Sequence, residues 1–579
     1  MRIERDLGQL DRPFDVVIIG GGITGVCTAR EAAGRGLRTL IIDKRDWGAG
    51  TSSATSKMIH GGIRYLETYQ FGVVRESLRE RRILALAAPH LVRQTRFMMP
   101  AWRWSEPGAL MLGAGVGLYD VLSYDRNRDA PPGLRIPHPR WMSKRAILRA
   151  APWLNPDGLR GGYAYHDTLN LHPERLLLAF LDAAVQAGAV ALNHVEAVGF
   201  RSQRGAGGDG IEVTGVEVVD RLTGTSHTVG ARAVVNAGGP WMDLVLARLG
   251  RPMGVAVQRS KGVHVLTAPL GGEDSVLARA PSGRHVIVSS WEGHSLIGPT
   301  DTAVAQDPDD VRAVGEDVKL ILDTVNATMS PNRRPLRPED VEATTVGIRP
   351  LIVQEGADSY HTSRRHELYD HARNGVAHLW SIGGGKWTTG RATGVEVAET
   401  LLRSPALQGV AHQPYDSRRL PVSGTFAWAQ DGQTLLYLQD TDGDENWRLY
   451  AVSAAGGEPR ALTPAGSRAQ ILGLSASDPT GVVVTLNDRD AAWPDVYRYD
   501  IASGQRTRVQ RNPASASVRG FASYVLDRQN HVRLGIKTLP DGGSEVFARA
   551  VDGTWSSLFR IPFEDVMSSR VIGFEADGR

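Results

Sequence analysis

The chain has 579 residues, 42% of them apolar and 22% charged, with a formal net charge of +3. At roughly 150 residues per domain, that length calls for several hydrophobic cores, and the composition excludes wholesale disorder. So small a net charge argues against nucleic acid as a partner, and a single cysteine, Cys27, excludes an intrachain disulfide and fits a reducing compartment.

The first 17 residues lack the apolar core and small-residue cleavage site of a secretory signal, so the expected location is cytoplasmic. Residues 15–20, DVVIIG, predict a buried strand, residues 23–35 a helix, and residues 39–42 a second strand ending in Asp43: a β-α-β unit that begins a parallel sheet. Its turn, Gly20-Gly21-Gly22-Ile23-Thr24-Gly25, satisfies G-x-G-x-x-G. Gly20 permits the bend, Gly22 lets a pyrophosphate approach the backbone, and Gly25 lets the helix pack on the strand. The helix N-terminus, with Ile23 and Thr24 in its first turn, favours an anion, and Asp43 accepts a hydrogen bond from a ribose hydroxyl. This pattern signals an adenine dinucleotide without separating FAD from NAD.

Further along, helices are expected over 71–88 and 173–187, and a strand over 189–193. Alternating apolar positions at 211–219 and 284–297 predict antiparallel strands of a sheet covering the substrate. The longest weakly polar run, residues 108–119, is glycine-rich and well short of the roughly 20 residues needed to cross a bilayer, so any membrane contact is expected to be peripheral. Past residue 402 the periodicity lapses into proline, glycine and polar residues, which places a domain junction near 421–425. Beyond it, groups of short strands recur at roughly 40-residue spacing, the period of propeller blades.

The segment from Gly50 to Glu67, GTSSATSKMIHGGIRYLE, packs hydroxyls, cations, an imidazole and two glycines into one stretch. Gly61 and Gly62 allow a flat ring close to the backbone, Ser52, Ser56 and Lys57 are donors for flavin or phosphate oxygens, and His60 suits a position facing the ring and a substrate hydroxyl. The string resembles the signature of the FAD-dependent, quinone-linked glycerol-3-phosphate dehydrogenases. VNAGGPW at 235–241, the segment 282–301, GIRPL at 347–351 and IGGGKWTTGR at 382–391 resemble further elements of that family. Within them, Pro299 and Gly390 stand where Thr and Tyr are usual.

The resemblance covers about residues 12–423. It implies an α/β fold: a Rossmann-like FAD-binding domain of the glutathione-reductase and D-amino-acid-oxidase type, joined to an antiparallel-sheet substrate domain. FAD-binding parts are expected at 12–90, 161–245 and 346–405, substrate-domain parts at 91–160 and 246–345, a linker at 406–424, and an incomplete propeller at 425–579. It implies oxidation of sn-glycerol 3-phosphate to dihydroxyacetone phosphate, with electrons passed to a membrane quinone at the inner face of the cell membrane. It adds Lys44, Gly50, Thr51, Val195, Gly238, Gly384, Lys386 and Thr388 to the cofactor set. Arg64, Tyr65, Arg284, Arg349 and Lys386 then hold the substrate, since a phosphomonoester carries nearly two negative charges. His60 is the expected proton acceptor; Arg349, stabilising an alkoxide while water takes the proton, is the competing arrangement. No metal is expected. The oligomeric state is open, with a homodimer among the expectations.

Residues 426–500 resemble part of the N-terminal propeller of prolyl-oligopeptidase-type peptidases, yet no G-x-S-x-G nucleophile motif occurs in the chain, which excludes peptidase chemistry of that type. Members of the dehydrogenase family normally continue into a helical domain instead. Two alternatives therefore stand beside the leading one: another FAD oxidase of the same fold, and a catalytically impaired fusion in which the propeller is a binding module.

Overall fold

The computed structural model describes residues 5–89, 91–106, 108–130, 134–205, 210–352, 365–418, 426–439, 446–453, 458–475, 477–515, 518–527 and 529–562. The chain divides into two compact units, Met1–Arg128 with Ile136–Ser423, and Asp129–Arg135 with Gly424–Arg579.

The first unit is built on two sheets. Its opening strand, β1 (Phe14–Ile19), is followed by α1 (Ile23–Gly34) and β2 (Thr39–Ile42). β1 lies between β2 and strand Ser226–Asn236, parallel to both, with Val16 opposite Thr39 on one side and Ala233 on the other. Val16, Val17 and Ile18 are fully buried because a parallel sheet is covered on both faces, which is why the run reads as continuously apolar. The order across this sheet is His366–Asp370, Leu379–Gly384, Ser226–Asn236, β1, β2, Val190–Leu192. α1 packs on it through small residues: Ala29, Ala32 and Ala33 sit in the core with Phe180 and Leu181 of helix Pro173–Gln186.

The second sheet is mainly antiparallel. Strand Val257–Thr267 pairs along its length with Val341–Ile352, and Val92–Trp102 with Leu159–Asn170. Two further helices precede or flank it, α2 (Phe71–Ala87) and α3 (Ala109–Leu122). The weakly polar run at 108–119 is thus mostly helix, its glycines tolerated because Val116 and Tyr119 anchor it in a small core with Val74, Leu78 and Phe97.

The second unit holds three four-stranded antiparallel sheets among its described residues, beginning at Phe426, Ala469 and Ser523. Leu436 and Leu449 of the first share a core with Val482, Val484 and Tyr499 of the second; Val483 and Val496 of the second meet Phe521 and Tyr524 near and in the third.

Candidate functional site

The turn between β1 and α1 is shaped by what its glycines exclude. A β-carbon on Gly20, which has φ +116°, would stand 2.5 Å from the Ala237 carbonyl oxygen, and one on Gly25 would stand 1.9 Å from the Gly20 carbonyl oxygen. Gly22 caps α1 with no side chain, leaving the helix N-terminus open to an anion. The Ser52 hydroxyl accepts from the Ile23 amide at 2.9 Å, and Asp43 accepts from the Gly21 amide at 2.7 Å and the Arg45 amide at 2.8 Å. Burial pushes the Asp43 carboxyl above its ordinary pKa, opposed by those two amides and by Arg45 and Lys44. A carboxylate has about four acceptor sites, so the ribose role read from the sequence fits alongside both amides.

From this turn a cavity of about 520 Å³ runs beneath the second sheet. It brings together Gly20, Gly22, Ile23, Thr24, Asp43, Lys44, Gly50, Thr51, Ser52, Ser56, His60, Gly62, Arg64, Tyr65, Val195, Gly238, Arg349, Gly384, Lys386 and Thr388, residues drawn from segments up to 368 positions apart in sequence. Gly25 lies behind the turn. Gly61 sits just outside the wall, its amide donating to the Tyr119 hydroxyl at 2.9 Å.

Two expected residues stand elsewhere. The Lys57 ammonium pairs with Glu174 at 3.2 Å and lies 5.1 Å from the Trp291 ring centre, so it is committed to the protein and does not line the cavity. Arg284 is also outside the lining, which holds its neighbour His285 together with Ile287. Arg284 is the last residue of the turn before strand His285–Trp291, and it is exposed. Lys44 does border the cavity, with its ammonium on Asp309 at 2.5 Å.

At one end of the cavity, Gly62 turns the chain with φ +79° into the short helix Ile63–Leu66 that carries Arg64 and Tyr65. The Lys386 ammonium lies 4.7 Å from the Tyr65 ring centre. The Arg349 guanidinium lies flat on Gly262, where a β-carbon would come within 2.4 Å of it, and donates to the Thr300 carbonyl at 3.1 Å and the Ser260 hydroxyl at 3.4 Å. His60 sits beside Lys386 and Arg64: burial, then Lys386, Arg64 and Arg81, hold its pKa down to about 3, so the imidazole is neutral.

Sequence reading missed His264 and His285. His264 lies in the buried strand Val257–Thr267; its Nε2 is 2.9 Å from the Ser56 hydroxyl, and its Nδ1 is buried without a hydrogen-bond partner. Burial and Arg349 hold its pKa down to about 3. The available signal was an imidazole between two valines of an apolar strand, an uncompensated polar group that a ligand would satisfy. The wall also holds Asp167, which accepts from Arg81 at 2.6 Å and from the Tyr119 hydroxyl at 2.7 Å.

The departure at Gly390 has a packing reason. A β-carbon there would stand 2.9 Å from the Ile23 side chain, and one at Gly394 would stand 2.7 Å from the Cys27 carbonyl carbon, so helix Gly390–Arg403 lies directly on α1. Arg391 in its first turn makes two 2.7 Å bonds to the buried Glu80. Cys27 lies in this contact, where burial pushes its thiol up and leaves it unreactive.

An adenine dinucleotide fits these donors: an open helix N-terminus, an acid at the end of β2, and glycine-lined walls leading to a basic pole. Residues 15–400 match the FAD dependent oxidoreductase family. The chain is 36% identical over 400 residues to a glycerol-3-phosphate dehydrogenase of Synechocystis sp., covering 67% of this chain and 70% of that protein. It is 31% identical over 416 residues to an aerobic glycerol-3-phosphate dehydrogenase of Staphylococcus aureus, covering 71% of each. Among solved structures, the glycerol-3-phosphate dehydrogenase from Bacillus halodurans complexed with FAD superposes with a TM-score of 0.53 at 28% identity, covering 70% of this chain and 69% of that one.

Proposed function

Because the chain belongs to the FAD dependent oxidoreductase family, we propose that its first unit performs the FAD-dependent oxidation of sn-glycerol 3-phosphate to dihydroxyacetone phosphate. The observation that carries this reading is the single cavity in which the glycine turn of α1 leads to Arg64, Lys386, Arg349 and His60.

Bound FAD supplies the acceptor for the hydride leaving the alcohol carbon. Gly20, Gly22 and the α1 N-terminus hold its pyrophosphate, and Asp43 its ribose. Arg64 and Lys386 anchor the phosphate, which fixes the rest of the molecule relative to His60. His60 accepts the hydroxyl proton: the substrate's negative charge offsets the neighbouring cations and raises the imidazole's proton affinity on binding. Arg349, held by Thr300 and Ser260, stabilises charge developing on the oxygen.

The finer reading is a quinone acceptor reached by peripheral attachment to a membrane. Its support is the outer face of α3, where Leu110, Met111 and Val121 are 90%, 66% and 67% exposed, with exposed Tyr124 just past the helix end. No helix among the described residues is long and apolar enough to cross a membrane. The three four-stranded sheets described in the second unit read as propeller blades, joined to the oxidoreductase by fusion, and a homodimer is the assembly expected.

The decisive experiment mixes the FAD-reconstituted full chain with sn-glycerol 3-phosphate without oxygen and follows the flavin absorbance. Bleaching by this substrate, and none by amino or hydroxy acids, is expected; the reverse pattern refutes the proposal. Peroxide release in air would assign the electrons to oxygen instead of quinone.

A further inference from the structure

The residue expected to meet the phosphate from the second sheet, Arg284, is not in the cavity, and its place in the lining is taken by His285. Strand His285–Trp291 pairs antiparallel with Ser275–Arg279, with Leu277 opposite Ile287 and Arg279 opposite His285. Residues directly opposite one another share a face, and Leu277, Ile287 and His285 all line the cavity. Arg279, on that same face, directs its guanidinium to the carbonyls of Gly283 and Glu106. His285 is therefore the polar side chain that this hairpin contributes to the cavity wall, and it is 13% exposed.

Its surroundings identify the end of the cavity it serves. Its Nε2 is 3.8 Å from a Glu67 carboxylate oxygen, one residue past the short helix that carries Arg64 and Tyr65. Burial, then Arg64 and Arg279, hold its pKa down to about 4, and the Glu67 carboxylate is the acidic group facing it. An imidazole kept neutral beside fixed cations adds a directional hydrogen bond without further like-charge repulsion, which suits a tetrahedral oxyanion already neutralised by Arg64 and Lys386.

We infer that His285 is a specificity-determining residue that hydrogen-bonds the phosphate of the substrate, setting preference for the phosphorylated polyol over the free one. This rests on the proposed reaction and deepens it by assigning the phosphate pole to the sheet as well as to the Arg64 turn.

The test compares His285→Leu, His285→Gln and Arg284→Ala in the FAD-loaded full chain, with sn-glycerol 3-phosphate and glycerol as alternative substrates. A hydrogen bond to a charged group is worth about 1.5–3 kcal/mol, so His285→Leu is expected to raise KM for the phosphorylated substrate about 10- to 150-fold. The rate of flavin reduction at saturation and the activity on glycerol stay unchanged, His285→Gln recovers part of the loss, and Arg284→Ala has no effect. An unchanged KM in His285→Leu, equal losses on both substrates, or a larger effect of Arg284→Ala overturns the assignment. A wild-type flavin that sn-glycerol 3-phosphate does not reduce refutes the reaction itself, an outcome visible before any variant is made.

Discussion

Gly22 and Gly25 are three residues apart in one motif, yet the structure predicts different failures on replacement by alanine. At Gly25 the new β-carbon would stand 1.9 Å from the Gly20 carbonyl oxygen, where about 3.5 Å is normal. α1 cannot retreat to make room, because helix Gly390–Arg403 already lies against its far side through Gly394, and Val26 and Ala29 are fully buried. Overpacking of this kind costs about 1–3 kcal/mol, so Gly25→Ala lowers the unfolding midpoint of the apoprotein and, by opening the turn, also weakens FAD binding. At Gly22 the φ of −74° is open to any residue, and the β-carbon would be 3.3 Å from the movable Ser52 hydroxyl. Gly22→Ala should therefore leave the flavin-free protein as stable as the parent, while obstructing the close approach of a pyrophosphate. Denaturant unfolding of both apoproteins and titration of each with FAD, read by flavin fluorescence, separate the two effects. If Gly22→Ala binds FAD like the parent, the pyrophosphate does not lie on this turn, and the placement of the cofactor is wrong.

Other consequences follow from the same contacts. Arg391→Met leaves the buried Glu80 with only the longer 3.6 Å contact to the half-exposed Arg79 and is expected to cost about 3–5 kcal/mol in urea unfolding of the first unit, whereas replacing both Arg391 and Glu80 by apolar residues recovers most of the loss. His60→Asn should retain flavin yet slow its anaerobic reduction about 10²- to 10⁴-fold; a rate within a factor of two of the parent would remove His60 from proton transfer. His60 and His264 have pKa values held down to about 3 and His285 to about 4, below the unfolded value of about 6.5. The unfolded chain thus binds more protons than the folded one between those values, and stability falls as pH drops from about 6.5 toward 3. Leu110→Glu with Met111→Glu should abolish flotation with anionic phospholipid vesicles while flavin reduction by sn-glycerol 3-phosphate is unchanged; undiminished flotation would exclude α3 as the attachment surface.

Much of the chemistry was legible where it is local in the chain. The strand, glycine turn, helix and acid of residues 14–43 follow from a continuous apolar run, three glycines with separate steric tasks, and the short reach of a β-α-β unit. The Gly50–Glu67 string announced itself by composition, and its members Ser52, Ser56, His60, Gly62, Arg64 and Tyr65 do share the cavity wall. Lys57 failed for a reason no local pattern holds: its ammonium is taken by Glu174, 117 positions away.

What the sequence determined by itself is therefore the set of local devices: the dinucleotide turn, the cation-bearing motifs, and the break between the oxidoreductase and the all-β segment. The tertiary structure decided which of them meet. Ser56 reaches His264 across 208 positions and Arg391 reaches Glu80 across 311. That His285 and Ile287 line the cavity together with Leu277 depends on a strand register in which one step reverses every side chain. Such pairings are selected by the joint burial of distant apolar faces, so they are properties of the assembled sheets and are absent from any single stretch of the chain.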